Sequence, residues 1–443
     1  MELKKRITDF HQLLKKTIDK YHMLNQGDKV LTAVSGGPDS VALLMGLSAL
    51  ADEYNLKLHI FHLNHQLRDN GARDARFVSE LGRKHNLETT IESFDVGDFC
   101  RKNNYSIQAG ARIIRYSLLD KTATEIGAQK IATGHNADDV VETFLMRLLK
   151  GSGLSGLTGI PPVRNDGVIR PLIETKRIDI DAYLSTNGFK YIVDETNLTD
   201  KYWRNRVRHH LVPALAEQNP DYVANILYTC ETLRRDDEYL AGEAYKLYKR
   251  IAAKDGDEVI INIESLRKLD PALGYRLLRL AESDLTAGDS HISSRRLSNL
   301  WEALKHDFKR CDLSSQIGVC LDRGQVVIFL RNFEPLQQTK LLVDESVKIA
   351  PDIKINLSLG KLSDFTGKNG RFIAFADAEK IAWPLSVQSF QSGDRFIPLG
   401  MTGKKKLHDF FIDEKVPRRF RRRVPIIADE NHIIWVGGYR LDE

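Results

Sequence analysis

The stretch KVLTAVSGGPDSVALLMGL, Lys29 to Leu47, decides the fold. Val30-Leu31-Thr32-Ala33-Val34 is an apolar run of strand length, and Val41-Ala42-Leu43-Leu44 opens a helix. Between them lie Ser35, Gly36, Gly37, Pro38, Asp39 and Ser40. Pro38 suits the first turn of that helix, where a missing N–H costs nothing. Gly36 and Gly37 permit positive φ and let a partner approach the backbone with no Cβ in the way. The bend therefore gathers free N–H groups at the positive end of a helix, a seat for a phosphate. The common GxxxxGK[ST] phosphate loop is not the pattern here, because no lysine follows the glycines.

Outward from this unit, strands and helices alternate. The sequence predicts strands at Leu56–Leu63, Leu87–Phe94 and Lys130–Gly134. It predicts helices from Asp74 to His85, on to Gly127, and from Asp138 to Lys150. Strands separated by helices of this length imply an α/β fold, a doubly wound, mainly parallel sheet with helices on both faces. Such sheets bind ligands outside the carboxyl ends of their strands, so 35–40, 62–68 and 134–139 should share one rim. After Arg206 the period changes. Residues 219–304 read as helices, with Leu266 to Glu282 as one of them. Asp322-Arg323-Gly324 marks a hairpin, and the tail from Leu341 is β-rich with a helix near Lys405 to Glu414. The expected domains are 1–212, 213–335 (mainly helical, ending in a hairpin) and 336–443 (a small β-rich α+β domain).

At 443 residues, with 42% hydrophobic and 28% charged residues, the chain has an ordinary globular composition, which excludes disordered and fibrous classes. No apolar run approaches membrane-spanning length, and the amphipathic first 24 residues lack a signal peptide's apolar core. Cys100, Cys230, Cys311 and Cys320 are scattered, with no CxxC pair. That pattern suggests reduced thiols in a cytoplasmic protein and no zinc site. The net charge of +5 is local: residues 404–423 hold nine Lys or Arg against three acids, leaving the rest of the chain at −1. Lys404, Lys405, Lys406, Arg418, Arg419, Arg421, Arg422 and Arg423 suit a phosphate backbone, or simply a solvated basic helix.

ATGHNADDVVETFLMRLLKG, from Ala132 to Gly151, is the second informative stretch. Asn136 or Asp138 can cap its helix, and Asp138 and Asp139 place carboxylates at the positive end, with Glu142 one turn on. If this end faces Ser35–Ser40, Asp39 and one of these acids can hold Mg²⁺, which takes one or two carboxylates together with phosphates and water. HLNHQLR contributes His62, Asn64, His65 and Arg68 after the second strand, with His62 nearer the adenine side of a nucleotide. Arg112 and Arg115, one turn apart, can clamp a phosphate or stack on a base, or be plain surface arginines. Trp203, Arg204, Arg206 and Arg208 interleave an aromatic with cations, as nucleic-acid contacts do and as an interdomain helix also would.

The first motif resembles the pyrophosphate-binding loop of the ATP pyrophosphatase (PP-loop) superfamily. With HLNHQLR, ARIIRY (111–116), GHNADDVVET (134–143), RNRVR (204–208), GDRFIPLG (393–400), KKLHDFFIDEKVPRRFRRRVP (405–425) and IIWVGG (433–438), the chain is similar to the tRNA(Ile)-lysidine synthetase family. The resemblance implies modification of the wobble cytidine of an isoleucine tRNA with a CAU anticodon. Cytosine O2 would attack the α-phosphate of ATP, and free L-lysine would then displace AMP at C2. Ser35 to Ser40 would bind phosphates, with Asp39 and Asp139 (or Asp138) as Mg²⁺ ligands. Gly134 and His135 would lie near the α-phosphate, and Arg112, with Arg115, would hold the cytidine or its phosphate. The C-terminal basic segment would grip the tRNA. Oligomeric state stays open, a homodimer included.

Two rivals remain. A thiolation enzyme on the same ATP domain would need reactive cysteines, and only Cys100 falls in the expected catalytic domain. An RNA-binding protein could instead hold ATP without turnover.

Overall fold

The computed structural model describes residues 2–443 except 68–70, 194–199, 201, 287–291, 307–309, 315, 332–335, 351–352, 362, 364–369 and 418–419; side chains are described from residue 9. Arg68, Arg418 and Arg419, each expected to meet an anion, lie outside the described residues. The chain divides into two compact units, Met1–Glu243 and Ala244–Glu443.

In the first unit the strands are β1 (Lys29–Ala33), β2 (Lys57–Asn64), β3 (Glu88–Ser93), β4 (Lys130–Ala132) and β5 (Val168–Ile169). They form a sheet of order β3-β2-β1-β4-β5, and each neighbouring pair is parallel. Side chains alternate between two cores. Val30, Ile60, Ala132 and Ile169 join one, which includes Leu14, Leu44 and Tyr183. Leu31, Phe61, Ile131 and Val168 join the other, with Ile114 and Leu119. Both faces are thus covered, as a doubly wound sheet requires. The helices are α1 (Glu2–Lys20), α2 (Pro38–Ala49), α3 (Ala51–Tyr54), α4 (Gly71–Lys84), α5 (Val96–Asn103), α6 (Ile107–Ile126), α7 (Ala137–Leu149), α8 (Leu154–Leu157) and α9 (Arg177–Asn187). The order reverses at β1, which has β2 on one side and β4 on the other. The loops leaving β1 and β4 therefore open at the switch point, where such sheets take their ligands. A short helix α10 (Trp203–Arg206), a π-helical turn (Val207–Leu211), α11 (Val212–Gln218) and the long α12 (Tyr222–Ile251) follow.

In the second unit, β6 (Ala252–Asp255), β7 (Glu258–Asn262), β8 (Arg310–Asp312), β9 (Ile317–Asp322) and β10 (Gln325–Leu330) form an antiparallel sheet, order β6-β7-β10-β9-β8. Helices α13 (Ile263–Arg267), α14 (Pro271–Thr286) and α15 (Ser294–Lys305) share its core. The β9–β10 hairpin turns at Arg323-Gly324, as expected. Two expectations fail here. The helical reading of 219–304 misses the β6–β7 hairpin, which turns at Gly256 (φ 53°) and buries Val259 and Ile261 on one face. Leu266 to Glu282 is not one helix, because Pro271 cannot continue the preceding turn; Asp270 Oδ1 accepts from Ala272 N–H at 2.8 Å and starts α14 afresh. Toward the C-terminus lies a second antiparallel sheet that includes the strands Ile426–Ala428 and Ile433–Val436, with the helix Leu407–Asp413 packed beside it through Phe410 and Phe411.

Among the described residues, no helix is long and apolar enough to cross a membrane.

Candidate active site

The loop after β1 is shaped by its glycines. Gly36 sits at φ 89°, and Gly37 begins α2 with no side-chain cap, so the first N–H groups of that helix stay free of side-chain acceptors. Ser40 Oγ donates to Gly37 O at 2.8 Å and lies 3.3 Å from Ser35 Oγ, which closes the bend on itself. On the β2 side, buried His62 bonds through Nδ1 to Val34 O at 2.8 Å. That bond makes Nδ1 the donor and leaves Nε2 an acceptor. From the far side Ile192 N–H donates to Gly36 O at 2.8 Å, so residues after α9 lie against the loop.

The loop after β4 meets this bend through two contacts. A Cβ on Gly134 would stand 3.1 Å from Asp39 C and O, so any larger residue would have to push the two loops a few tenths of an ångström apart. Asn136 then plays two parts. Its Oδ1 accepts from Asp139 N–H at 3.0 Å while Asp139 Oδ2 accepts from Asn136 N–H at 3.0 Å, a reciprocal cap on α7. Its Nδ2 also donates to Asp39 Oδ1 at 2.9 Å, joining residues 97 apart in the chain.

Four acids gather here, and three arginines answer them. Arg177, at the start of α9, donates from its guanidinium to Asp39 Oδ2 at 3.0 Å and from its backbone N–H to Asp138 Oδ2 at 2.7 Å. Arg204 bridges Asp139 Oδ1 at 2.7 Å and Glu142 Oε2 at 2.6 Å. Arg208 reaches Glu142 Oε1 at 2.5 Å. Burial raises the Asp39 carboxyl above its ordinary value, against the pull of Arg177, and the charge of Asp139 raises it further. Burial does the same to Asp138. His135, 3.0 Å from Thr133 Oγ1, is pushed down to about 3 by burial and then by Arg170, Arg204, Arg112 and Arg115. It is a neutral imidazole beside a positive field.

The phosphate loop and the start of α7 thus meet at one rim. The PP-loop domain family matches residues 4–215, and the TilS substrate C-terminal domain family matches 385–443. The tRNA(Ile)-lysidine synthase of Caldanaerobacter subterraneus subsp. tengcongensis is 34% identical over 97% of this chain and 93% of its own. The enzyme of the same name from Clostridium tetani is 33% identical over 96% and 93%, and that from Symbiobacterium thermophilum 34% over 96% and 92%. The chain belongs to the tRNA(Ile)-lysidine synthase family.

Within this lysidine synthase fold, Ser35 to Ser40, His62, Gly134, His135, Asp138 and Asp139 all lie on the β1–β2–β4 rim. Arg112 and Arg115 are exposed on α6, and the Arg112 guanidinium lies 4.9 Å from the Tyr116 ring centre. Arg204 and Arg208 were expected to face nucleic acid; the structure spends both on Asp139 and Glu142, and Arg206 between them is exposed. In the C-terminal segment Lys404, Lys406 and Arg422 are exposed. Lys405 pairs with Asp413, and Arg421 donates to Val416 O at 3.2 Å. Arg423 is half-buried. Arg177, which completes the acid cluster, carries no sequence signal: TKRIDI reads only as a helix start. Cys230, expected outside the catalytic domain, packs in the first unit's core, where burial raises its thiol to about 11.

Among the described residues, no three His, Cys, Asp or Glu side chains converge into a ready-made metal cage. Mg²⁺ takes few protein ligands and completes its shell from phosphate and water. Asp39 and Asp139, hard oxygen donors coupled in charge, fit such an ion.

Proposed function

We propose that this protein ligates free L-lysine to C2 of the wobble cytidine of the isoleucine tRNA with a CAU anticodon, with release of pyrophosphate and AMP. The observation that carries the reading is the Asn136–Asp39 bond, which ties the phosphate loop to the acidic helix start at one rim. The backbone N–H groups that open α2, at Asp39 and Ser40, receive the leaving pyrophosphate. Asp39 and Asp139 hold Mg²⁺, Asp139 being preferred to Asp138 because its charge is the one that acts on Asp39. The ion would neutralise charge on the triphosphate as the α-phosphate is attacked. No protein nucleophile is required, since cytosine O2 and the lysine amine both come from substrates; the chain's part is orientation and electrostatics. His135, held neutral, accepts or donates one hydrogen bond near the α-phosphate without adding charge. Arg112 and Arg115 hold the cytidine or its phosphate. Residues 213–335 and the basic 336–443 segment grip the tRNA in the cytoplasm.

Sulfur transfer is disfavoured by the thiols: Cys100 and Cys230 of the first unit are both buried and free, and Cys230 is raised far from a reactive pKa.

The test incubates the full chain with labelled lysine, Mg²⁺-ATP and an unmodified tRNA transcript. Label at the wobble cytidine, lost in Asp39→Ala, supports the reading. Pyrophosphate release without lysine incorporation would redirect it to another nucleophile, and neither product would overturn it.

A further inference from the structure

Arg170 follows β5 and is among the most enclosed side chains of the first unit, 2% exposed. One terminal nitrogen donates to Pro161 O at 2.6 Å, and the other lies 3.5 Å from Tyr116 Oη. Its Nε–H has no acceptor, it makes no ion pair among the described residues, and the groups that act on it most are Tyr116, Arg164 and Arg112. A buried guanidinium with neither counter-ion nor a full set of acceptors is costly to keep. The Tyr116 it touches carries two more: Arg112 at 4.9 Å and Arg164 at 4.7 Å from the ring centre. Arg164 is balanced by Asp166 at 2.5 Å, whereas exposed Arg112 makes no ion pair among the described residues.

Charge in this unit is therefore segregated. The acids at Asp39, Asp138, Asp139 and Glu142 are met by Arg177, Arg204 and Arg208. The positive charge around Tyr116 is left in excess. An uncompensated cationic cluster whose outermost member is exposed suits an anion that arrives with the substrate. Arg170 is too enclosed to touch that anion itself, so its effect passes through the tyrosine. A cation against each part of one ring also fixes where that ring, and the guanidinium lying on it, can sit.

We propose that Arg170 is a positioning residue for RNA: through Tyr116 it fixes the Arg112 guanidinium as the seat of a phosphodiester beside the base being modified. This rests on the tRNA-modifying reading above. A guanidinium on a phosphate gives a charge-assisted, directional bond, and an RNA phosphodiester is the anion that an exposed arginine can reach.

The experiment measures dissociation constants for unmodified tRNA over a salt series, and KM for ATP, in the full chain. The variants are Arg112→Ala, Arg170→Lys, Tyr116→Phe and the doubles of Arg112→Ala with each of the others. Arg112→Ala is expected to weaken tRNA binding about tenfold, the low end for one charge-assisted bond. Its salt slope should fall by about one phosphate contact. Arg170→Lys and Tyr116→Phe should each weaken binding severalfold, yet add no further loss on the Arg112→Ala background. KM for ATP should not move. A merely structural role predicts losses that multiply in the doubles, and that result overturns the inference. A raised KM for ATP with unchanged tRNA binding overturns it too, and hands Arg170 to the triphosphate. If Arg170→Lys does not fold, the Tyr116→Phe cycle alone decides. Lysidine formation by the unaltered chain tests the underlying reading separately, so multiplicative losses in an active enzyme sink only the role of Arg170.

Discussion

Replacing Glu142 by Gln isolates what the arginine–carboxylate network contributes to the first unit. The Glu142 side chain is 2% exposed and accepts three hydrogen bonds: from Arg204 Nε at 2.6 Å, Arg208 Nε at 2.5 Å and Arg208 Nη2 at 3.2 Å. Gln keeps the shape and one carbonyl acceptor, but turns an NH₂ group toward a guanidinium and removes the charge. Breaking a buried ion pair by removing one partner costs about 3–5 kcal/mol when the other is left enclosed. Here both arginines are 39% exposed and keep Asp139 within reach, Arg204 at 2.7 Å and Arg208 at 4.0 Å. The expected cost is therefore lower, about 2–3 kcal/mol. For a unit of this size each kcal/mol moves the midpoint by about 2–4 °C, so Tm should fall by roughly 4–12 °C. Thermal melts of the ligand-free chain near neutral pH measure it, with Lys102→Ala as the control. Lys102 pairs with Asp98 in the open, the two side chains 73% and 39% exposed. Such an open pair contributes little and is screened by salt, whereas the Glu142 effect should survive added salt. A Glu142→Gln midpoint no lower than that of Lys102→Ala would refute the reasoning, and with it the view that Arg204 and Arg208 serve the acid cluster.

Two further outcomes follow from the same geometry. Gly134→Ala places a methyl 3.1 Å from the Asp39 carbonyl carbon and oxygen. It should push the phosphate loop away and raise KM for ATP about tenfold or more, for about 1–3 kcal/mol of overpacking; an unaltered KM would show that the close approach is dispensable. His135 is held at about 3 against an ordinary 6.5, so its stabilising contribution is intact at neutral pH and is lost as pH falls below the unfolded value toward the folded one. Between about pH 7 and about pH 5 the wild type should lose about 1–2 kcal/mol more stability than His135→Asn, a figure reduced for partial exposure. Denaturant titrations at the two pH values check it, and parallel losses would count against a neutral imidazole.

Much of the first unit was legible because its signals are local. A strand buried on both faces is a continuous apolar run, and a glycine bend that opens a helix is written in adjacent residues. Asn136 as a cap, and Asp138, Asp139 and Glu142 on the first turns of α7, follow from spacing alone. The β6–β7 hairpin was illegible for the converse reason: Ala252-Ala253-Lys254 continues a good helical pattern, and only pairing with β7 makes it a strand. Arg204 and Arg208 show what local reading leaves out. Arginines beside Trp203 look like an RNA surface, yet their partners lie 62 to 66 residues earlier. Arg177 acts on Asp39 from 138 residues away, and Arg170 on Tyr116 from 54. Neither stands in a motif, since VIRPLI and TKRIDI read as a strand exit and a helix start. What motifs encode is where backbone must bend and which groups must cap it. Charge balance is settled between segments that meet only after folding, so a buried arginine and an exposed one look alike in the chain. The residues missed here are for that reason arginines, and the variants that separate their roles must be chosen from contacts rather than from patterns.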